Sequence, residues 1–271
     1  MTFPPLLPLV SALLAASVSP VLPRGRHDLL ARLVLTGAAV QAVTGGGETP
    51  GEKGASMLDL KIIIGSTRPG RAADRVIPWI TELAGGHGGF DVDVIDLREW
   101  ELPVFSETFA TVGDPRNPRF SVPAVKRWNA KVAEGDAYLF VTPEYNHSVP
   151  GVLKNAIDSV FATFAFRGKP AASAAYSGGI GGGIRAVEHL AHIAIEAEMV
   201  PLRNNVVIPF VDAAFTPDGQ PADHHTTAAA KIMLDDLAWW GTALQRARAG
   251  GILPPAIFRL MAQRQAEGAR Q

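Results

Sequence analysis

From Leu58 onward, short apolar runs alternate with longer segments in which apolar residues recur at helical spacing. The apolar runs predict five strands: Leu60–Ile64, a segment through Val92, Val94 and Leu97, Ala137–Thr142, Pro170–Tyr176 and Val206–Ile208. The longer segments predict helices near Ala72–Leu83, Val122–Glu134, Pro150–Phe161, Ile184–Met199 and Thr226–Arg248. Strands and helices that alternate in this way are typical of a parallel sheet covered on both faces. The pattern therefore predicts an α/β fold with a doubly wound, five-stranded parallel sheet.

The ends of the chain lie outside this alternation. Residues 1–56 combine a proline-interrupted apolar run, a second apolar patch and the glycine-rich stretch TGGGETPGEKGAS. We predict that residues 1–56 are an N-terminal extension, either disordered or not translated; an export signal is the alternative, although a positive n-region is missing. Residues 57–250 form the predicted α/β domain. Residues 251–271 are predicted to form a tail helix with Ile257, Leu260 and Met261 on its apolar side.

Composition narrows the class of protein. The 271 residues are 47% hydrophobic and 19% charged, as expected of a globular protein, and the formal net charge is −1. No basic block is present, so we expect no nucleic-acid partner. The apolar run near the N-terminus is too short and too interrupted for a bilayer, so we expect no membrane partner and a cytoplasmic location. Cysteine is absent, which excludes disulfides, thiolate nucleophiles and iron–sulfur ligation. Redox chemistry would therefore depend on a bound cofactor.

Loops follow the first, third and fourth predicted strands, and doubly wound sheets bind ligands at such carboxyl ends. The first loop runs from Gly65 to Arg71 and contains Ser66, Thr67 and Arg68. Its hydroxyls, arginines and following helix N-terminus favour a phosphate group. It lacks the Gly-Lys-Ser/Thr and G-x-G-x-x-G patterns, so a monophosphate fits better than a triphosphate or dinucleotide. An ordinary strand–helix turn is the alternative.

The second of these loops offers an aromatic face, and the third offers a flexible backbone. Pro143-Glu144-Tyr145-Asn146 stiffens a turn, carries hydrogen-bonding groups and presents an aromatic face, although a simple capped turn is the alternative. Tyr176–Gly183 contains five glycines, which allow backbone to approach a ligand closely. The loop after the second strand, residues 98–120, is predicted to be long, ordered and functional, with no further helix or strand in it.

Three other patterns compete with this interpretation. Ser177, followed by Asp212 and His224, has the residue order of an α/β-hydrolase triad, but the partners are very close in sequence. His189, His192 and Glu196 lie on one helix face and are possible metal ligands, although a polar face or subunit contact explains them more simply. Trp239 and Trp240 are predicted to lie in the core or at a subunit interface, with a stack against a ligand as the alternative.

Three sequence blocks, KIIIGSTRPGR, TPEYNHSVPGVLKNAID and YSGGIGGG, resemble the NADPH-dependent FMN reductase family of flavodoxin-like proteins in order and spacing. The resemblance covers residues from about Leu58 to about Arg248 and implies the strand order 2-1-3-4-5. It implies FMN as cofactor, with NADPH or NADH as co-substrate. The residues that it assigns to cofactor binding are Ser66, Thr67, Arg68 and Arg71 for the phosphate, and Pro143, Glu144, Tyr145, Asn146, Ser177, Gly178 and Gly179 for the ring.

The resemblance further implies an FMN-dependent NAD(P)H oxidoreductase that reduces a small acceptor, such as a quinone, flavin or azo compound, by ping-pong hydride transfer. The flavin itself would supply the chemistry, so no catalytic side chain and no metal are expected. Arg71 or Arg116 would favour NADPH by pairing with its 2′-phosphate. A homodimer or homotetramer is expected. The alternative is a flavodoxin-like electron carrier without NAD(P)H turnover, although such carriers are often strongly acidic and this chain is nearly neutral.

Overall fold

The structure, a computed structural model, describes residues 57–268, and within that range six strands form one parallel sheet. The strands are β1 (Leu58–Ile64), β2 (Phe90–Asp96), β3 (Ala137–Pro143), β4 (Pro170–Tyr176), β5 (Val200–Pro201) and β6 (Val206–Ile208). Their order is β2-β1-β3-β4-β5, with β6 also paired to β4, and every pairing is parallel. The predicted α/β fold and strand order are confirmed. The prediction for residues 1–56 lies outside the described residues.

The fifth position of the sheet is divided between two short strands. β5 pairs with the start of β4, and β6 pairs with its end. Between them the Asn205 side-chain oxygen accepts a hydrogen bond from the Ser173 backbone N–H at 2.7 Å. The amide side chain thus replaces a missing backbone carbonyl, as buried backbone groups require. The prediction of five strands identified Val206–Ile208 and missed Val200–Pro201, because two residues show no periodicity.

Helices cover both faces of the sheet. They are α1 (Ala73–Gly86), α2 (Phe109–Val112), α3 (Pro123–Glu134), α4 (Gly151–Asp158), α5 (Ile184–Glu196), α6 (His224–Ala249) and α7 (Ala256–Gly268). Apolar residues of α1 and α6 pack against one face, and those of α3, α4 and α5 against the other. None of the helices between residues 57 and 268 combines the length and apolar composition needed to cross a bilayer.

Two local predictions need correction. The segment after β2 is predicted to be a loop throughout, but it contains a 3-10 turn at Leu97–Glu99 and the four-residue helix α2. This loop is anchored by Glu107, which is 2% exposed and accepts hydrogen bonds from the Ser121 N–H and hydroxyl at 3.0 and 2.7 Å and from the Thr111 hydroxyl at 2.8 Å. The second correction concerns Trp239 and Trp240, which are 66% and 40% exposed and do not belong to the core. An interface role for them stays a prediction.

The connectivity places three loops side by side. β1 lies between β2 and β3, so the chain leaves β1 in one direction and later returns on its other side. Ligands of doubly wound sheets bind at this reversal, outside the carboxyl ends of the strands. Because β1, β3 and β4 are neighbours, the loops that follow them share one edge of the sheet.

Candidate functional site

The first loop leaves β1 at Gly65, whose N–H donates to the Val141 carbonyl at 2.8 Å. A Cβ atom at Gly65 would lie only 2.9 Å from a methyl carbon of Leu153, so α4 packs directly against this turn. Beyond it, Ser66 is buried and Arg68 is exposed. Within residues 57–268, the backbone N–H groups of Ser66, Thr67 and Arg68 have no hydrogen-bond partner. The loop therefore offers unpaired donors next to the N-terminus of α1, a combination suited to an anion.

Arg71 supports this loop from within. It is 7% exposed, and its guanidinium donates to the Ser66 carbonyl at 2.6 Å, to Asp74 at 2.8 Å and to both Asp96 oxygens at 2.7 and 2.5 Å. The pKa of Arg71 is raised, because its bonds to Asp96 outweigh the opposing effect of burial. Four hydrogen bonds occupy four of the five N–H donors of the side chain. The predicted phosphate contact of Arg71 stays a prediction, and Asp96 is a partner that sequence analysis missed.

The loop after β3 forms a tight turn from Tyr145 to Ser148. The Tyr145 N–H donates to the Ser148 carbonyl at 2.9 Å, and the Ser148 N–H returns a bond to the Tyr145 carbonyl at 3.1 Å. Asn146 and His147, between them, have φ values of 49° and 71°. Two successive residues with positive φ are the requirement of a type I′ turn, and they are uncommon in residues other than glycine. In the described part of the chain the N–H groups of Asn146 and His147 are unpaired, so both are available to a ligand.

A hydroxyl pair joins this turn to the first loop. Ser66 Oγ and the Tyr145 hydroxyl oxygen are 2.8 Å apart, although the two residues are 79 positions apart in sequence. The Arg68 guanidinium lies over the Tyr145 ring, 5.4 Å from its centroid, within the range of a cation–π contact. Two of the three predicted loops are therefore in direct contact through residues that sequence analysis had selected.

The loop after β4 is built on glycine for steric reasons. Gly182 and Gly183 have φ values of 60° and 98°, and a Cβ atom at Gly183 would lie 2.6 Å from the Tyr176 backbone nitrogen. By contrast, a Cβ at Gly178 or Gly179 would meet no atom within 4 Å. The first pair allows the loop to fold back on the end of β4, and the second pair borders open space. Ser177, whose hydroxyl donates to the Gly179 carbonyl at 3.0 Å, lies at the start of the loop.

Glu144 joins the second loop to the third. Its N–H donates to the Tyr176 carbonyl at 3.0 Å. Its carboxylate accepts hydrogen bonds from the Arg185 side chain at 2.6 Å and from the Arg185 backbone N–H at 3.2 Å. The carboxylate is 8% exposed and lies at the N-terminus of α5, where the helix dipole favours a negative charge. Glu144 is thus held by a partner that sequence analysis did not identify.

The hydrolase pattern is not assembled. The Ser177 hydroxyl bonds its own loop, as described above. Asp212 accepts from Arg75 at 2.6 Å, and the His224 ring lies against His225 with a centroid separation of 4.0 Å. Across residues 57–268, no hydrogen bond joins Ser177, Asp212 and His224 to one another.

The sheet order and the three adjoining loops at its carboxyl edge define a flavodoxin-like protein. A family model described as NADPH-dependent FMN reductase matches residues 59–213, which is more than half of the chain. The chain belongs to this family of oxidoreductases.

Individual relatives agree with this assignment. An NAD(P)H-dependent FMN reductase of Schizosaccharomyces pombe is 31% identical over 155 residues, which are 55% of this chain and 72% of the relative. A quinone reductase of Pseudomonas putida is 32% identical over 133 residues, 48% of this chain and 66% of that protein. Among solved structures, the flavoenzyme NAD(P)H:(acceptor) oxidoreductase FerB of Paracoccus denitrificans superimposes with a TM-score of 0.55 at 24% identity, covering 68% of this chain and 97% of FerB. That likeness supports the fold.

Proposed function

We propose that this chain is an FMN-dependent NAD(P)H oxidoreductase that reduces a small acceptor, with FMN bound across the loops after β1, β3 and β4. The observation that carries the proposal is the 2.8 Å contact between Ser66 and Tyr145, because it joins the loop suited to a phosphate to the loop with an aromatic face. Family membership supports the same cofactor.

The phosphate end of the site would be the loop after β1. Unpaired N–H groups of Ser66, Thr67 and Arg68 point to an anion in this loop, and the exposed Arg68 guanidinium adds a positive charge. Arg71, whose charge is paired with Asp74 and Asp96, would act on the phosphate site by holding the Ser66 carbonyl with its guanidinium, so that the adjacent backbone N–H groups stay available. Backbone dipoles together with the Arg68 guanidinium suit a monophosphate.

The ring end would be formed by the other two loops. One side of the isoalloxazine would be bordered by Pro143, Glu144, Tyr145 and Asn146. The other side would be bordered by Ser177, Gly178 and Gly179. Among residues 57–268 the N–H groups of Asn146, Gly178 and Gly179 have no partner, and they fit the oxygen and nitrogen edge of such a ring. The open space beside the two glycines leaves room for it. When bound, FMN supplies the redox chemistry by accepting and donating a hydride.

The acceptor and the reductant would share one crevice. We propose ping-pong order, in which NAD(P)H leaves as NAD(P)⁺ before the acceptor enters, and quinones, flavins and azo compounds as acceptor classes. The quinone class is supported by the Pseudomonas putida relative. Arg116 as a 2′-phosphate contact stays a prediction; in the structure it is exposed and pairs with Asp114 at 2.9 Å.

Assembly and organisation are also part of the proposal. A homodimer or homotetramer is proposed from the family resemblance. We propose residues 57–250 as the FMN-binding domain, with residues 251–271 as its tail. A cytoplasmic location stays a prediction.

The test begins with the purified protein mixed with FMN and then freed of unbound flavin. Retention of the yellow cofactor, followed by bleaching of its absorbance on anaerobic addition of NADPH or NADH, is the expected result. Failure to retain FMN would overturn the proposed site. Retention without bleaching by either nucleotide would overturn the reductase and favour the electron carrier.

A further inference from the structure

The strained turn Tyr145–Ser148 is held from outside by one face of α5. Asn146 and His147 occupy the left-handed region that residues other than glycine avoid, at a cost that surrounding contacts must offset. The side chain of Tyr145 contacts Ser66 on the inner side of the turn. On the outer side, Ser148 Oγ lies 2.9 Å from Nδ1 of His189.

His189 does not act alone on this face. It lies four residues after Arg185 in α5, and residues at this spacing lie one above the other on a helix. Arg185 binds the carboxylate of Glu144, directly before the turn, and His189 binds the hydroxyl of Ser148, at its end. One helical turn of α5 thus contacts the residue that precedes the four-residue turn and the last residue of the turn.

From this geometry we infer that His189 is a positioning residue for the turn Tyr145–Ser148, which keeps the N–H groups of Asn146 and His147 directed at the ring of the cofactor. The inference rests on the proposed function, since it concerns the same site. It also gives a role to a histidine that the helix pattern alone left between a metal ligand and a polar surface residue.

The contact predicts how FMN affinity responds to substitution. His189→Ala and Ser148→Ala each remove the same hydrogen bond, so each should raise the dissociation constant of FMN about two- to tenfold. The double variant should bind FMN no more weakly than either single variant, because the two side chains act as a pair. His189→Asn places an amide near the position of Nδ1 and should bind FMN within about twofold of the wild type.

A matched control is available on the same helix. His192 is exposed and has no hydrogen-bond partner among residues 57–268, so His192→Ala should leave FMN affinity unchanged. Alanine has a higher helix propensity than histidine, so weaker binding in His189→Ala cannot come from a weakened α5.

The experiment has two measurements, both on the full chain. Titration by quenching of FMN fluorescence gives the dissociation constants. Hydrogen–deuterium exchange of the flavin-free protein follows the peptide containing residues 144–149, which should exchange about two- to tenfold faster in His189→Ala and at the wild-type rate in His189→Asn.

The outcomes separate the two proposals. If wild-type protein fails to bind FMN, the proposed function is wrong, while faster exchange of the turn in His189→Ala would still support the positioning role. If wild-type protein binds FMN and His189→Ala matches it in affinity and exchange, the positioning role is wrong and the proposed function stands. Weaker binding in His189→Ala that His189→Asn fails to restore would also overturn the positioning role.

Discussion

Lys169 is a buried lysine whose surroundings disfavour its protonated form. It is 7% exposed, and its Nζ donates to the carbonyls of Val132 and Ala133 at 3.4 and 2.9 Å and to the Tyr138 hydroxyl at 3.0 Å. All three acceptors are uncharged. Burial, together with the nearby positive charge of Arg248, lowers the pKa of Lys169 to about 7. The lysine hydrogen-bonds carbonyl groups in the last turn of α3.

This lowered pKa predicts that stability rises with pH in an alkaline window. An unfolded lysine titrates near 10.5, so the unfolded chain holds more protons than the folded chain between about pH 7 and pH 10. One proton corresponds to a slope of at most about 1.4 kcal/mol per pH unit. Integration from about pH 7.5 to pH 9 gives a gain of about 2 kcal/mol in the free energy of unfolding. Above about pH 10 the trend should reverse, because burial raises the pKa of Tyr138.

Urea denaturation of the wild type and Lys169→Met at several pH values measures this effect. Methionine keeps an unbranched stem and removes the titrating group, so the variant should gain about 2 kcal/mol less than the wild type across the window. Lys154→Met is the matched control, since Lys154 is an exposed lysine of α4 paired with Asp158. Parallel pH curves for the wild type and Lys169→Met would refute the reasoning.

Three further predictions concern single contacts. Gly183→Ala should destabilise the protein by about 3 kcal/mol in urea, because its Cβ meets backbone at positive φ, whereas Gly178→Ala, beside open space, should change stability by less than about 0.5 kcal/mol. Tyr145→Phe and Ser66→Ala should each weaken FMN binding about two- to tenfold in a fluorescence titration. If the losses of the two single variants add in the double variant, the contact between the two hydroxyls is contradicted. Burial opposes ionisation of Glu107, but hydrogen bonds to its carboxylate outweigh burial and lower its pKa. The stability of the wild type should therefore fall as the pH drops below 4.5. Glu107→Gln should lose less stability over that range, as measured by acid titrations followed by circular dichroism.

The sheet could be predicted from the sequence because its central strands are continuous apolar runs. β3 is buried at every position, and β4 begins and ends at the residues predicted, Pro170 and Tyr176. Such runs are typical of parallel strands covered on both faces. The edge was harder to predict. Val200–Pro201 is too short to show a period, and the side chain of Asn205 completes the sheet where backbone does not.

The site could be predicted only as far as its loops. Positions at the carboxyl ends of β1, β3 and β4 follow from topology, since those ends meet at one edge of a parallel sheet. The residues of the first loop indicated a phosphate group, and the identity of the cofactor as FMN came from the family resemblance. The partners of individual side chains did not follow from either source. Arg71 has the residue type of a phosphate ligand, yet most of its donors bind Asp96, Asp74 and a backbone carbonyl.

These side-chain partners could not be predicted because they lie far apart in the sequence. Ser66 and Tyr145 are 79 residues apart, and Glu144 and Arg185 are 41 residues apart. Hydrophobic periodicity reports which face of a helix or strand is buried, over a window of one element. Whether Arg185 contacts Glu144 depends on how far α5 is displaced along the sheet, and that displacement depends on the glycines that let the third loop fold back on β4. A substitution at Gly183 is therefore expected to disturb Glu144 and the turn after it, although no sequence pattern links them.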